Sequence, residues 1–267
     1  MVLLSIITPA YNSAAWLASC IEHVAEQQCS QLEHIIVDGG SQDGSVEILE
    51  KLALKYPHLR WISEPDNGQS QAMNKGLALA GGKWIGFLNA DDFYEPAALI
   101  SVLEIIRKNP EELVLLTGNL RVLNEHDQLI SLNKPSSVNL PALLADVCEW
   151  PYNPSAYFYP LRIHEKTGFF PEDEHFAMDY DFFFRLLLAG IPIRYIPQTW
   201  GNFRMQPEAK TVKDQSGSSS YLRAAGIRKK YLLKSPANVQ MYARMLVSLW
   251  AIRNKFLGLL RKMNLVK

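Results

Sequence analysis

Trp84-Ile85-Gly86-Phe87-Leu88-Asn89-Ala90-Asp91-Asp92 is the stretch from which the fold can be read. Its first five residues are apolar and β-prone, as in a strand buried on both faces, and polar and acidic residues follow at once. Open α/β sheets bind ligands just beyond the carboxyl ends of such strands, where carboxylates can hold a hard cation against a diphosphate. A short acidic turn also opens helices, and Asp92 with Pro96 would suit that purpose, so the tetrad alone leaves both readings open.

Outward from this stretch the same alternation covers the chain up to Asn119. Apolar runs at Leu3 to Thr8, His34 to Val37, Leu59 to Ile62, Lys83 to Leu88 and Leu113 to Thr117 are separated by helical stretches. These run from Ala14 to Glu26, Ser45 to Lys55, Gln69 to Ala80 and Pro96 to Lys108. The order predicts an α/β fold with a mostly parallel sheet sandwiched by helices. Pro9 to Asn12, Asp38 to Ser41, Glu64 to Gly68 and Asn89 to Asp92 then fall beyond strand ends and converge on one crevice. Past Asn119 the pattern loosens. Leu120 to Leu132 reads as a hairpin around Glu125 to Gln128, and Glu149 to Ser155, with two prolines, reads as a loop. A helix from Asp179 to Leu188 and a strand from Ile193 to Ile196 complete the body.

With 267 residues, 48% of them apolar, the chain has material for one catalytic domain at 1–214 and an appendage at 215–267. The domain divides at the change of pattern into two halves, 1–119 and 120–214. The formal net charge is zero, but the signs are segregated. From Gln215 to Lys267 there are 11 basic residues and no acidic one, leaving the first 214 with 16 basic against 27 acidic. So acidic a body does not suit nucleic acid, whereas the tail could meet an anionic surface. Cys20, Cys29 and Cys148 show no paired metal-ligand spacing and fit a reducing compartment. The six histidines have neither ligand nor triad spacing. No charged leader precedes the first strand and no apolar stretch reaches the roughly 18 residues of a membrane span. A cytoplasmic protein is expected, with peripheral contact at the inner face of the membrane as an extension of that reading.

The extension comes from the tail. After a linker at Ser216 to Ser220, two helical stretches are predicted, the second from Val239 to Met263. Met241, Met245, Leu249, Ile252, Phe256, Leu259 and Met263 recur at steps of three and four, flanked by Arg244, Lys255 and Lys262 on one side and Arg253 on the other. Such a face suits a helix lying in a lipid interface. It equally suits a helix docked on its own domain or on a second copy in a homo-oligomer.

Three more segments accompany the acidic tetrad in order: Ser5-Ile6-Ile7-Thr8-Pro9-Ala10-Tyr11-Asn12, then Ile35-Ile36-Val37-Asp38-Gly39-Gly40-Ser41-Gln42-Asp43-Gly44-Ser45, then Ser63-Glu64-Pro65-Asp66-Asn67-Gly68-Gln69-Ser70-Gln71-Ala72-Met73-Asn74-Lys75-Gly76. A further block, Met178-Asp179-Tyr180-Asp181-Phe182-Phe183-Phe184-Arg185-Leu186, follows later. In order and spacing the set resembles the family 2 glycosyltransferases, a large inverting group with a GT-A fold, and covers about three quarters of the chain. The resemblance implies a GT-A fold with a C-terminal helical extension, residues 1–119 being its nucleotide-binding half and 120–214 its acceptor-side half. It implies transfer from a UDP-sugar to a glycan or lipid-linked acceptor, with Mg²⁺ or Mn²⁺ as cofactor.

Residue by residue, the resemblance places Pro9, Ala10, Tyr11 and Asn12 beside base and ribose, with Asp38 accepting the ring N–H of uracil. Glu64, Asp66, Gly68, Gln69 and Lys75 belong to the loop and helix that close over ribose and diphosphate, and Asn89 and Ala90 complete the nucleotide site. Asp91 matches the second acid of the Asp-x-Asp motif and is the expected metal ligand, with Asp92 as a second candidate. Asp179 matches the catalytic base. Two positions depart from the family: Asn89 stands where the first aspartate belongs, and Met178 replaces the acid before Asp179. Lys75 could supply positive charge or be an ordinary exposed lysine, and Ser155, Trp150 and Tyr152 could line the acceptor side or simply pack. Asp181, four residues before Arg185, reads as half of a helical ion pair. Two other classes compete, a sugar-nucleotide nucleotidyltransferase and a non-catalytic nucleotide-sugar-binding subunit. Thr8 to Asn12 lacks the basic, glycine-rich character of the former, and the two departures support the latter.

Overall fold

The computed structural model describes residues 2–173, 177–206 and 219–262, the side chains of 219–221 and 258–262 excepted. The chain opens with β1 (Leu4–Ala10), α1 (Ala14–Glu26), β2 (Leu32–Asp38), α2 (Ser45–Lys55), β3 (Leu59–Ser63), α3 (Gln69–Leu79) and β4 (Trp84–Phe87). These strands lie in the order β3, β2, β1, β4 and all run parallel. Side chains alternate between the two faces of a strand. Ile7, Ile35, Val37, Ile85 and Phe87 accordingly pack with α3 on one side, and Leu4, Ile6 and Trp84 pack with residues of α1 on the other. Both faces of the three inner strands β2, β1 and β4 are covered, which is why these strands are buried along their length, whereas the edge strand β3 is partly exposed.

The second half adds β5 (Phe93–Tyr94), α4 (Ala98–Lys108), β6 (Leu115–Leu123), β7 (Leu129–Asn133), α5 (Leu140–Ala145), β8 (Tyr157–Pro160), α6 (His164–Thr167), α7 (Met178–Leu188) and β9 (Ile193–Arg204). Beyond β4 the sheet continues through β8, β6 and β9 to β5, and β7 pairs with the outer half of β6. β8 is antiparallel to both β4 and β6, while β6 and β9 are parallel. The predicted strand at Leu113 to Thr117 and the first arm of the predicted hairpin are one strand, running through Gly118. A side chain at Gly118 would press on the Trp200 ring and the Gln198 carbonyl of β9. The strand expected at Ile193 to Ile196 extends to Arg204, and β8 lies where no strand was expected.

Two helices close the described chain, α8 (Ser219–Lys234) and α9 (Ala237–Lys262). The Tyr231 ring of α8 stacks on Phe184 at 4.9 Å, and Arg228 pairs with Asp146. Ala243 of α9 is buried in the core, with Val239 and Leu246 packed beside it. The tail therefore begins as part of the body. From Val247 to Phe256 every side chain is exposed. Residues 216–218 of the expected linker and Met263 lie outside the described residues, as do the side chains of Leu259 and Lys262. No described helix is long and apolar enough to cross a membrane. All three cysteines are free.

Candidate functional site

The carboxyl ends of β1 to β4 form a crest on which the motif loops are stitched to one another. At the end of β1, Asn12 takes a left-handed backbone (φ 48°), a conformation asparagine tolerates better than most residues. Its amide donates to Ser41 Oγ at 2.7 Å and its side-chain oxygen accepts from Gln42 N at 3.1 Å, joining the β1–α1 turn to the β2–α2 loop. Asp43 ties two helix starts together, accepting from Ala14 N at 2.9 Å and Ser45 N at 3.1 Å. The turn leaves the Tyr11 ring 66% exposed beside the crest.

Asp38, the last residue of β2, is fully buried. Oδ2 accepts from Gly40 N, Ser41 N and Ser63 Oγ at 3.1, 2.9 and 2.7 Å, and Oδ1 accepts from Ser41 Oγ. The expectation that this carboxylate accepts from a uracil ring does not fit that geometry. Asp38 builds the floor of the site, and its oxygens are already taken. Glu64, at the end of β3, pairs with Lys75 at 2.8 Å, and Lys75 also donates to Pro65 O at 3.0 Å. Lys75 thus braces its own loop.

The acidic tetrad is organised around Asp92, which is buried and accepts from three groups. Asn89 Nδ2 and Asn153 Nδ2 each donate to its Oδ2 at 2.8 Å, and Arg204 N donates to Oδ1 at 3.1 Å. Burial drives the Asp92 carboxyl strongly upward in pKa, and Asp91 beside it adds to the shift. Asn89, where the family pattern has an acid, bridges two loops: its oxygen accepts from Gln69 Nε2 at 3.1 Å while its amide donates to Asp92. An aspartate there would set a second carboxylate against Asp92. Ala90 is buried behind the turn. Asp91 is partly exposed, and its carboxylate takes no hydrogen bond from another described residue. Burial raises its pKa, opposed by the Arg204 guanidinium, which donates to the Asp91 carbonyl at 3.2 Å.

A hard cation held mainly by phosphate oxygens and water needs only one or two protein carboxylates. Asp91, with open oxygens and a destabilised charge, meets that requirement, whereas Asp92 is committed to its three donors. No group of three or more ligating side chains occurs among the described residues, so any ion would lean on the substrate.

Asn153 carries the network into the second half of the domain, its oxygen accepting from Ser155 N and Ser155 Oγ at 2.9 and 2.6 Å. Two residues on, Tyr157 opens β8 and its hydroxyl donates to Asp179 Oδ1 at 3.1 Å. Asp179 sits in the first turn of α7, partly exposed, and its partial desolvation pushes its carboxyl up to about 6 while the tyrosine bond opposes the shift. Met178 is buried in the core beside it. Asp181 forms the expected pair with Arg185 at 2.7 Å and is also bonded by Lys230 and Tyr231. Trp150 packs against Tyr180 and Phe183, which leaves Tyr152 as the exposed ring of that loop. Two clefts of about 570 and 540 Å³ lie away from the crest, one beside Arg185 and Lys230, the other around Gly82 and Pro110. Asn153 and Arg204, which hold Asp92, were not singled out from the sequence, because an amide in a proline-rich loop and an arginine late in the chain carry no motif.

The family model for glycosyl transferase family 2 matches residues 5–146. Chondroitin synthase of Escherichia coli is 30% identical over 213 residues, 79% of this chain but only 30% of its own length. Residues 1–349 of Staphylococcus aureus TarS, solved with UDP-GlcNAc, superpose with a TM-score of 0.69 at 17% identity, covering 90% of this chain and 69% of that one. A mannosyltransferase from Pyrobaculum calidifontis, solved with GDP-Man and Mn²⁺, superposes with a TM-score of 0.58 at 16% identity, covering 92% and 79%. At such identities the structural likeness establishes the GT-A fold. The chain spans less than a third of the length of the chondroitin synthase it matches.

Proposed function

The chain belongs to glycosyltransferase family 2, and from that premise we propose that it transfers a sugar from a UDP-sugar to a glycan or lipid-linked acceptor with inversion at the anomeric carbon. The observation that carries this reading is one hydrogen-bonded line, Gln69 to Asn89 to Asp92 to Asn153, which joins the nucleotide loops to the acceptor loop and leaves the Asp91 carboxylate open. Tyr11 offers its exposed ring to the base. Pro9, Ala10, Asn12, Asp38, Glu64, Gly68, Gln69, Asn89 and Ala90 shape the walls of the nucleotide site. Asp91 would hold Mg²⁺ or Mn²⁺, and the ion supplies compensation for charge on the departing diphosphate.

Asp179 acts as base. It takes the proton of the acceptor hydroxyl as that oxygen attacks the anomeric carbon from the face opposite the diphosphate, and a carboxyl lifted to about 6 accepts the proton more readily than an ordinary aspartate. The Met-for-Glu departure at Met178 does not remove the base, and Asn89 has a structural role of its own. Both departures therefore leave catalysis available, and family membership favours transfer over nucleotidyl chemistry. The exposed part of α9 provides contact with an anionic membrane, where lipid-linked acceptors reside.

The test is UDP release from a panel of UDP-sugars, read alongside UDP binding in Mn²⁺ and in EDTA. Asp179→Asn should bind UDP normally and lose transfer by on the order of a hundred- to ten-thousandfold. Asp91→Ala should abolish the difference between Mn²⁺ and EDTA. Near-normal transfer by Asp179→Asn would refute the base, and UDP binding without transfer to any acceptor would favour a binding subunit.

A further inference from the structure

The carboxylate of Asp66 lies where a side chain at position 39 would stand. A Cβ added to Gly39 would sit 2.9 Å from Asp66 Oδ2 and 3.2 Å from its Cγ and Oδ1. Gly40 carries a positive φ of 83°, and a Cβ there would touch Pro65, so the β3–α3 loop rests directly on the two-glycine turn after β2. Oδ1 of Asp66 accepts from Gly68 N at 2.8 Å, which fixes the carboxylate, while Oδ2 takes no hydrogen bond from a described residue. Asp66 is partly exposed. It is an oriented, open acceptor over Gly39, the residue that directly follows the buried Asp38.

Resting on the nucleotide-site reading above, the geometry points to Asp66 as the residue that selects the base of the donor. A carboxylate oxygen can accept from a ring N–H and repels a ring nitrogen lone pair. Uracil and guanine present a ring N–H on the edge that pairs with another base, whereas cytosine and adenine present a lone pair there. Asp66 thus favours UDP over CDP and GDP over ADP. Gly39 is the enabling residue, because any side chain there would displace the carboxylate from its place. Tyr11, across the same crest, carries no sequence information for the base, since every base has a face to stack.

The experiment measures binding of UDP, CDP, GDP and ADP to wild type, Asp66→Asn and Gly39→Ala by calorimetry in Mn²⁺. Asparagine keeps an oxygen for Gly68 N and turns an amide donor toward the base. In Asp66→Asn the UDP-to-CDP affinity ratio should fall by on the order of ten- to a hundredfold, with CDP gaining in absolute terms. Gly39→Ala should lower the same ratio, and combining the two changes should add little. Equal loss for all four nucleotides, or an unchanged ratio with UDP still bound, would overturn the role of Asp66 and leave the proposed function standing. Failure of wild type to bind any nucleotide would overturn both. Asp38→Asn is the control, since loss of a floor residue should weaken every nucleotide alike.

Discussion

At the scale of single residues, the pair Tyr157 and Asp179 makes a quantitative demand on pH dependence. Burial raises the Asp179 carboxyl to about 6, and the hydroxyl bond stabilises the charged form and pulls in the opposite direction. As a base, Asp179 works deprotonated, so kcat/KM should fall as pH drops through about 6. Tyr157→Phe removes the donor, the carboxylate loses stabilisation, and the acidic limb should move to higher pH with UDP affinity unchanged. A tyrosine that only packs would, when replaced, lower turnover at every pH and leave the limb in place. The pH profile decides between these. The same logic explains Asn89: with Asp92 already driven up by burial and by Asp91, the position beside it favours an amide that can donate over an acid that could only repel.

Among the elements, the seam between α3 and β1 sets the placement of the β3–α3 loop. A Cβ at Gly76 would overlap the Ile7 side chain, so glycine in the stretch Asn74-Lys75-Gly76 lets the helix lie close on the strand. Gly76→Ala should push α3 outward and destabilise the fold by about 1–3 kcal/mol despite the better helix propensity of alanine, a loss readable in thermal or urea unfolding. An unchanged or raised stability would show that the seam can yield. This half of the fold was legible in the sequence because β1, β2 and β4 are buried on both faces and β1, β2 and β3 are each followed by a helix, so composition and alternation report the architecture directly. β8 was not, since four residues ending in Pro160, after a loop holding Pro151 and Pro154, show no period of their own and owe their conformation to β4 and β6 on either side. The outer part of β9 was hidden by Pro197 and Gly201, and its role as an anchor for Asp92 exists only through pairing with β6 and β5. In the site, residues attached to motifs were visible, whereas the saturation of Asp38, the bridging by Asn153 and the reach of Asp66 across Gly39 arise from tertiary contacts between loops.

For the whole molecule, charge and apolar surface meet at one end. The first turns of α9 are docked through Val239, Ala243 and Leu246, so removing the helix from Val239 onward would open the core as well as the surface. From Leu246 to Lys262 the helix runs on for about 24 Å. Along it Val247, Leu249, Trp250, Ile252 and Phe256 are exposed beside Arg253 and Lys255, with no acid after Asp214 in the sequence. Exposed aliphatic and aromatic side chains interleaved with cations match the boundary of an anionic bilayer, each basic residue adding about 1 kcal/mol near such a surface. The protein should sediment with vesicles containing phosphatidylserine, less with neutral ones, and less as salt is raised. Replacing Leu249, Ile252 and Phe256 together by Gln leaves the docked turns intact; this variant should stay in the supernatant while binding UDP as wild type does. Undiminished sedimentation of the variant would refute the contact. A wild type that ignores vesicles and elutes as a dimer, with the variant monomeric, would assign the same face to a second copy of the chain.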